Sequence, residues 1–318
     1  MPSNSQPVGR IRVSSPGKKA YCDLYLRKVF ADENVLEMEI AAEQNGRLQY
    51  YFQKNGAGEN QKTAPVPLEV FSITKIFTSA LLISLMENGR LSAYEPVRKY
   101  IPDFPFDDVL IHHLMTHTSG LTGHLNAADR RHRFAALTRE FPADTDFHYY
   151  SSGYDILTDI IEILAEMDIR DFAEIRIFKP LNMADSEFAS HTGHRGMKST
   201  AADLLKFGRH LLEIQKTGKP GILKPCSAAL MFREHTRGRY DRTPAFFRKS
   251  QTRRFGRYFG DLNSPEAVGH AGAGGCFFLL DPQYDTVLII LTNGSHTIQL
   301  CDENFSKINN LLMGNFII

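Results

Sequence analysis

The chain has 318 residues, 42% of them hydrophobic and 23% charged, the balance of an ordinary soluble protein long enough to bury a sizeable core. A net charge of +1 gives no global drive toward nucleic acid or an acidic membrane surface. No apolar run is long enough to cross a bilayer; the best, Ile76 to Met86, is interrupted by Thr78, Ser79 and Ser84.

Residues 1–19 are polar, with Pro, Ser and Gly throughout and no apolar core of signal-peptide length. They read as a flexible leader, and the protein as cytoplasmic. "NVLEMEIAAEQNGRLQYYFQKNG" predicts two strands joined at Asn45-Gly46, a dipeptide suited to a tight hairpin. A helix is expected from Ser72, ended by Gly89 in the manner of a C′ glycine. A short helix, "VLIHHLMTHTSGL", follows, then "SSGYDILTDIIEILAEM", with Ile156, Ile160, Ile161 and Leu164 on one face.

"STAADLLKFGRHLLEI" opens with Thr200 and Asp203 three apart, a start like a capping box. Two strands, Cys276 to Leu280 and Thr286 to Thr292, flank a turn with Pro282, and "NLLMGNFII" reads as a helix end packed on the sheet. Strands at both ends and helices between them predict an α/β (α+β) architecture: an antiparallel sheet built from both chain ends, flanked by helices, with an all-helical insertion. The expected division is 20–90 with 195–318 as the sheet domain and 91–194 as the mostly helical one. The four cysteines form no C-x-x-C pair and read as buried reduced thiols.

Three segments carry chemistry. Ser72 and Lys75 stand three apart at a helix start, where they share a face. A serine hydroxyl needs a neighbouring base, and a lysine serves only when burial or cationic neighbours leave it partly neutral. The same spacing also suits a capping serine with a surface lysine, and it recurs at Ser15 and Lys18. Tyr149-x-Ser151 precedes a helix, where a phenol can relay protons. His270-Ala271-Gly272-Ala273 enters a strand whose small residues let backbone approach a ligand closely.

In this order the three boxes resemble the penicillin-recognising serine hydrolases, and most closely the class C β-lactamase, D-aminopeptidase and esterase branch. Connecting segments such as "IHHLMTHTSGL", "IFKPLNMADSEF" and "GMKSTAADLLKFGRHLL" are similar to family sequence, from about Phe71 to Asn293. The resemblance implies a β-lactamase/transpeptidase-like fold with the active site in the cleft between domains. It implies that Ser72 is acylated, Lys75 helps activate it, and Tyr149 shuttles the proton. Ser151 would bind the substrate or Lys75, backbone N–H groups of Ser72 and Ala273 would form the oxyanion hole, and His270 and Gly272 would line the site. His270 replaces the lysine usual in β-lactamases and Ser151 replaces their Asn, which points toward ester or peptide substrates. Acyl transfer to an amine or alcohol, and a binding protein without activity, are the alternatives.

Six histidines (His112, His113, His117, His124, His191, His194) raise the question of a metal. No Glu sits between His113 and His117 as H-E-x-x-H chemistry requires, and neither a metal nor another cofactor is expected. The segment Arg237 to Tyr258 holds eight Arg or Lys against Asp241 alone, net +7, so the remainder sums to −6. It reads as a solvated connector. Its functional alternative, over Arg237–Arg257, is a cleft wall that attracts an anionic or carrier-protein-bound substrate; Arg253 and Arg254 are its test positions. The expected partner is a small molecule or peptide, with no nucleic acid and no membrane.

Overall fold

Continuous runs of apolar side chains, buried on both faces of a sheet, build the centre of the molecule. In the computed structural model, which describes residues 15–30, 35–54, 65–126, 132–249, 258–293 and 298–317, the first elements are α1 (Ser15–Val29), β1 (Met38–Gln44) and β2 (Arg47–Lys54). β3 (Leu68–Glu69) leads to a 3₁₀ turn (Phe71–Ile73) that runs into α2 (Thr74–Glu87). Then come α3 (Ile111–Thr116), β4 (Leu121–His124), β5 (Ala136–Arg139), α4 (Gly153–Ala165) and α5 (Ile169–Ala173). β6 (Glu187–Phe188), β7 (Met197–Ser199), α6 (Ala201–Thr217) and α7 (Pro225–Phe232) follow. The last are β8 (Phe247–Arg248), β9 (Val268–Gly272), β10 (Cys276–Asp281), β11 (Thr286–Thr292) and α8 (Ile298–Phe316).

Among the described residues, six strands form an antiparallel sheet in the order β2-β1-β11-β10-β9-β8, so both chain ends supply it. One face of the sheet buries Met38, Ile40, Ala42, Phe277, Leu279, Leu288 and Ile290 against Cys22 and Leu26 of α1 and Phe305, Ile308 and Leu312 of α8. The other buries Phe278, Leu280, Val287, Ile289 and Leu291 with α2, α4 and α6. The two-residue period of a strand sends neighbours to opposite faces, which is why a continuous apolar run serves both layers. Asn45 (φ 50°) and Gly46 (φ 72°) make the expected left-handed hairpin turn. Thr200 caps α6 by accepting from the Asp203 N–H (3.3 Å), while the Asp203 carboxylate turns instead to Ser186 and the Asp185 N–H.

Three expectations change. The leader was read to residue 19, yet α1 begins at Ser15, because Cys22, Leu26 and Phe30 give this stretch an apolar stripe to bury; residues 1–14 lie outside the described ones. The insertion is not wholly helical: β4 and β5 pair as a ribbon where Gly120 and Gly123 take positive φ. A Cβ at either would clash with backbone, 2.0 and 2.1 Å from the carbonyl oxygens of Phe141 and Ala136 and far inside van der Waals contact. Of the cysteines, Cys22 and Cys276 are buried thiols but Cys226 is exposed at the start of α7; the Cys301 side chain lies outside the described residues. No helix among the described residues is long and apolar enough to cross a membrane.

Glu39 of β1 is 3% exposed, with Oε2 accepting from the Ala201 N–H (3.2 Å) at the start of α6 and Oε1 without a partner among the described residues. Burial pushes its carboxyl up from the ordinary 4.5 to about 7. Across that window the folded chain holds a proton that the unfolded chain has released, so this group's stabilisation is full below about 4.5 and is lost as pH rises through about 7. Glu39→Gln should therefore raise stability at pH 8 by about 1–2 kcal/mol, and the gain should vanish near pH 4.5, in denaturant melts at the two pH values.

Candidate active site

The 3₁₀ turn places Ser72 at the head of α2 without using it as a cap, since the residues preceding each helical segment are Val70 and Ile73. Phe71, just before Ser72, sits at φ 47°, a left-handed conformation that is strained for a bulky residue and holds the serine out of the regular helix. Lys75 Nζ lies 3.0 Å from Ser72 Oγ and donates to the His194 carbonyl at 3.0 Å. The lysine is 0% exposed and no carboxylate pairs with it among the described residues. Burial first, and then the charge of Arg242, hold its amine well below the usual lysine range, against a weaker opposing pull from Asp155. A free amine here has its lone pair available to the serine proton.

Tyr149 and Ser151 come to the same place. Lys75 Nζ stands 5.0 Å from the Tyr149 ring centroid, and the Ser72 and Ser151 hydroxyls lie close enough to the phenol to lower its pKa. Burial raises the Tyr149 pKa; these hydroxyls and Arg242 draw it partly back. The resting pair is thus an amine and a phenol, both uncharged. His117 sets the box in position: its Nδ1 accepts from the Tyr150 N–H (3.2 Å), its carbonyl accepts from the His148 N–H (3.0 Å), and its ring lies 4.3 Å from that of Tyr149.

His270 on β9 is 1% exposed, its ring 6.2 Å from Tyr149 and 5.2 Å from Phe247. Its Nδ1–H donates to the Ala271 carbonyl (2.8 Å), and burial first, then the charge of Arg242, keeps it neutral, its pKa well below 6.5. Gly272 is obligatory: a Cβ would stand 2.6 Å from the Val70 carbonyl and 3.3 Å from Phe71 Cβ, so a larger residue would push β9 off the serine turn. Ala273, exposed, begins the turn whose next residue, Gly274, lies under the Phe71 ring. Among the described residues β8 pairs only with Val268 and Gly269, so the outer edge of residues 270–272 extends past it. All seven expected site residues therefore lie around one point. Ser15 and Lys18 fall on α1 instead, with Lys18 Nζ donating to the Asn315 carbonyl (3.3 Å).

Several supporting residues escaped the sequence reading. His194 is one: its carbonyl holds Lys75 while its Nδ1 meets Asp155 of α4 at 2.8 Å. Arg242 is another, fully buried in a segment read as a solvated connector. That reading fails for its described part. Arg237 and Arg239 pair with Asp144 (3.1 and 2.6 Å), Phe246 and Phe247 are buried, and Phe247 faces Tyr149 at 6.2 Å. Five aromatic residues interleaved with the charges were the available signal. Arg253 and Arg254 lie outside the described residues. Of the histidines, His113 Nδ1 accepts from the Leu110 N–H (3.0 Å), capping α3. Glu162, Asp168 and His191 could offer a cation ligand atoms within 4.8 Å of one another, but Glu162 already accepts from the Ile169 N–H and Asp168 from Arg170.

A serine beside a buried amine, a phenol and a glycine-lined strand edge defines a site for acyl chemistry on an α/β scaffold. The beta-lactamase family profile matches residues 25–309, and the chain belongs to that family, whose members are serine hydrolases and acyltransferases. Penicillin-binding protein 4 of Amycolatopsis lactamdurans is 28% identical over 294 residues, 76% of this chain and 76% of that one. Penicillin-binding protein 4* of Bacillus subtilis (strain 168) is 32% identical over 133 residues, 37% of this chain but only 30% of that one. Among solved structures, EstCE1, described as a hydrolase with promiscuous acyltransferase activity, superposes with a TM-score of 0.73 at 16% identity, covering 94% of this chain and 98% of that one. Unliganded simvastatin synthase from Aspergillus terreus gives 0.70 at 16% identity, covering 94% and 99%. At such identities these two show a shared fold.

Gly193 lets the His194 turn reach Lys75. A Cβ on it would stand 2.1 Å from Thr158 Oγ1 and 2.8 Å from the Tyr154 carbonyl, while its own carbonyl accepts from Thr78 Oγ1 at 2.7 Å. Gly193→Ala should displace the His194 carbonyl and slow acylation of Ser72 by about 10- to 100-fold, with a stability loss of about 1–3 kcal/mol. Stopped-flow labelling and thermal melts check both; an unchanged labelling rate would contradict this role.

Proposed function

We propose that the protein is a serine hydrolase that works through an acyl-enzyme on Ser72 and cleaves an ester or amide bond of a small or peptide-like substrate. The observation that carries this reading is the Lys75 amine: wholly buried, 3.0 Å from Ser72 Oγ, and held by a carbonyl rather than a carboxylate. A solvated or ion-paired lysine would be an ammonium and no base. In the first half-reaction Lys75 Nζ takes the hydroxyl proton as Ser72 Oγ bonds the carbonyl carbon. The N–H groups of Ser72 and Ala273 donate to the oxyanion. Tyr149 gives its phenolic proton to the departing oxygen or nitrogen as that bond breaks, and Lys75 returns its extra proton to Tyr149. Water then attacks the ester carbonyl, losing a proton through the same pair as Ser72 Oγ regains one.

The neutral ring of His270 favours esters and neutral amides over β-lactams, because nothing at that position answers a substrate carboxylate with charge. The outer edge of β9 suits an extended, peptide-like acyl group, which could form backbone hydrogen bonds there. The basic segment contributes the Phe247 wall; attraction of an anionic or carrier-borne substrate remains a role for its other arginines. A second reading, transfer of the acyl group to an amine or alcohol, uses the same intermediate, and two relatives of this fold are described as an acyltransferase-active hydrolase and a synthase.

A fluorophosphonate probe should add its mass to the wild-type chain at Ser72 and not to Ser72→Ala, and Lys75→Ala should slow labelling by about 10³-fold or more. Failure of the wild type to gain mass with any acylating reagent would overturn the enzyme reading. With an activated ester, water and an amine supplied together, hydrolysis predicts the free acid as the main product, and a dominant amide would establish transfer.

A further inference from the structure

Arg242 is 0% exposed and has no carboxylate partner among the described residues. Its Nη2 donates to the Tyr154 hydroxyl at 3.2 Å, its guanidinium carbon lies 4.5 Å from the Phe247 ring centroid, and its Nε and Nη1 have no partner among the described residues. The Tyr154 hydroxyl is itself within 2.9 Å of the Met115 carbonyl and 3.1 Å of the Pro244 carbonyl, so the tyrosine is fixed from three sides. The same tyrosine ring stands 5.7 Å from Lys75 Nζ. A buried cation left without a counter-charge is costly, and the fold could have used a leucine or methionine here. Arg242 thus sits on the Ser72 machinery through Tyr154 and Phe247 without reaching the cleft itself.

We propose that Arg242 is a positioning residue of the Ser72 site, supplying from behind Tyr154 the fixed positive charge that His270 does not. This rests on the acyl-enzyme reading above. Lys75 is faced by Tyr149 from the second box, Tyr154 and Asp155 from α4, His117 from the end of α3, His194 from the Gly193 turn, His270 from β9, and Arg242. The two tyrosines are phenols, His117 and His270 are neutral rings, and the Asp155 carboxylate is engaged by His194. Arg242 therefore provides the cation of the set, a planar guanidinium held against Tyr154 and Phe247. It disfavours a second positive charge on Lys75, keeping the amine free, and it favours the phenolate character that Tyr149 gains while passing its proton on. A neutral third box and a buried arginine are complementary halves of one arrangement: the charge is moved from the cleft wall to the floor, which leaves the wall free for uncharged substrates.

The test is the pH profile of Ser72 phosphonylation in wild type, Arg242→Met, Arg242→Gln and Arg242→Lys, with melting temperatures measured alongside. Removing one full charge at this range should move the acidic limb of the profile up by about 1–2 pH units in both neutral variants, while Arg242→Lys stays close to wild type below pH 7. At pH 6 that shift appears as a roughly 10- to 100-fold slower reaction that recovers at pH 9, an effect that simple loosening of the fold would not produce. A folded neutral variant with the wild-type profile would overturn the inference. So would failure of both neutral variants to fold while Arg242→Lys folds with a shifted profile, because the arginine would then serve the fold and not the base. Absence of any labelling at Ser72 in the wild type is a different result, and it would remove the acyl-enzyme reading itself.

Discussion

An amine placed in a protein interior with no counter-charge controls the rest of this molecule. Lys75 has no solvent contact, and the groups that touch it are a hydroxyl, a carbonyl and the faces of two tyrosines. Charging it there would cost several kcal/mol of lost hydration, which only a nearby carboxylate could offset. The one acid that pulls the other way, Asp155, is turned to His194, and the amine is held well below the usual lysine range. A neutral amine one helical turn from a serine is what converts an ordinary helix start into a nucleophile and its base.

Much of the scaffold can be understood as what is needed to keep that amine dry and aimed. α2 is buried from Thr74 to Leu85, so Lys75 enters the core on a helix that has no wet side there. Gly193 allows the His194 turn to close over the helix, and Gly272 allows β9 to lie on the serine turn. His117, at the left-handed end of α3, orients the Tyr149 box from behind. Each contact comes from a different part of the chain, so the site exists only when the sheet, α2 and the insertion are packed together. The strained Phe71 backbone is held by the same packing, its ring stacked over Gly274.

Local signals made a good part of this legible beforehand. Asn45-Gly46, the α2 stop at Gly89 and the Thr200 cap are short-range chemistry, and each is found where its residues place it. Ser72 with Lys75 was legible only in company, because Ser15 with Lys18 has the same spacing on an outer helix. What escaped were features decided by tertiary packing. Arg242 lies in a run of charges whose composition suggests water, and only the Tyr154 and Phe247 contacts reveal its burial. His194 acts through its carbonyl, which no side-chain pattern reports. The two-residue strands β3, β6 and β8 are too short to show a period, and the β4–β5 ribbon depends on two close glycine approaches that spacing cannot disclose.

The protonation state of Lys75 is the point on which the account stands or falls. The most direct measurement is the ¹⁵N chemical shift of Lys75 Nζ, followed by NMR from pH 5 to 10 in protein labelled at lysine and assigned with a Lys75→Arg variant. A free-amine shift at pH 7.5, with the inflection well below that of the surface lysines, is the predicted result. An ammonium shift that titrates with the others near 10.5 would contradict it, since Ser72 would then have no base beside it.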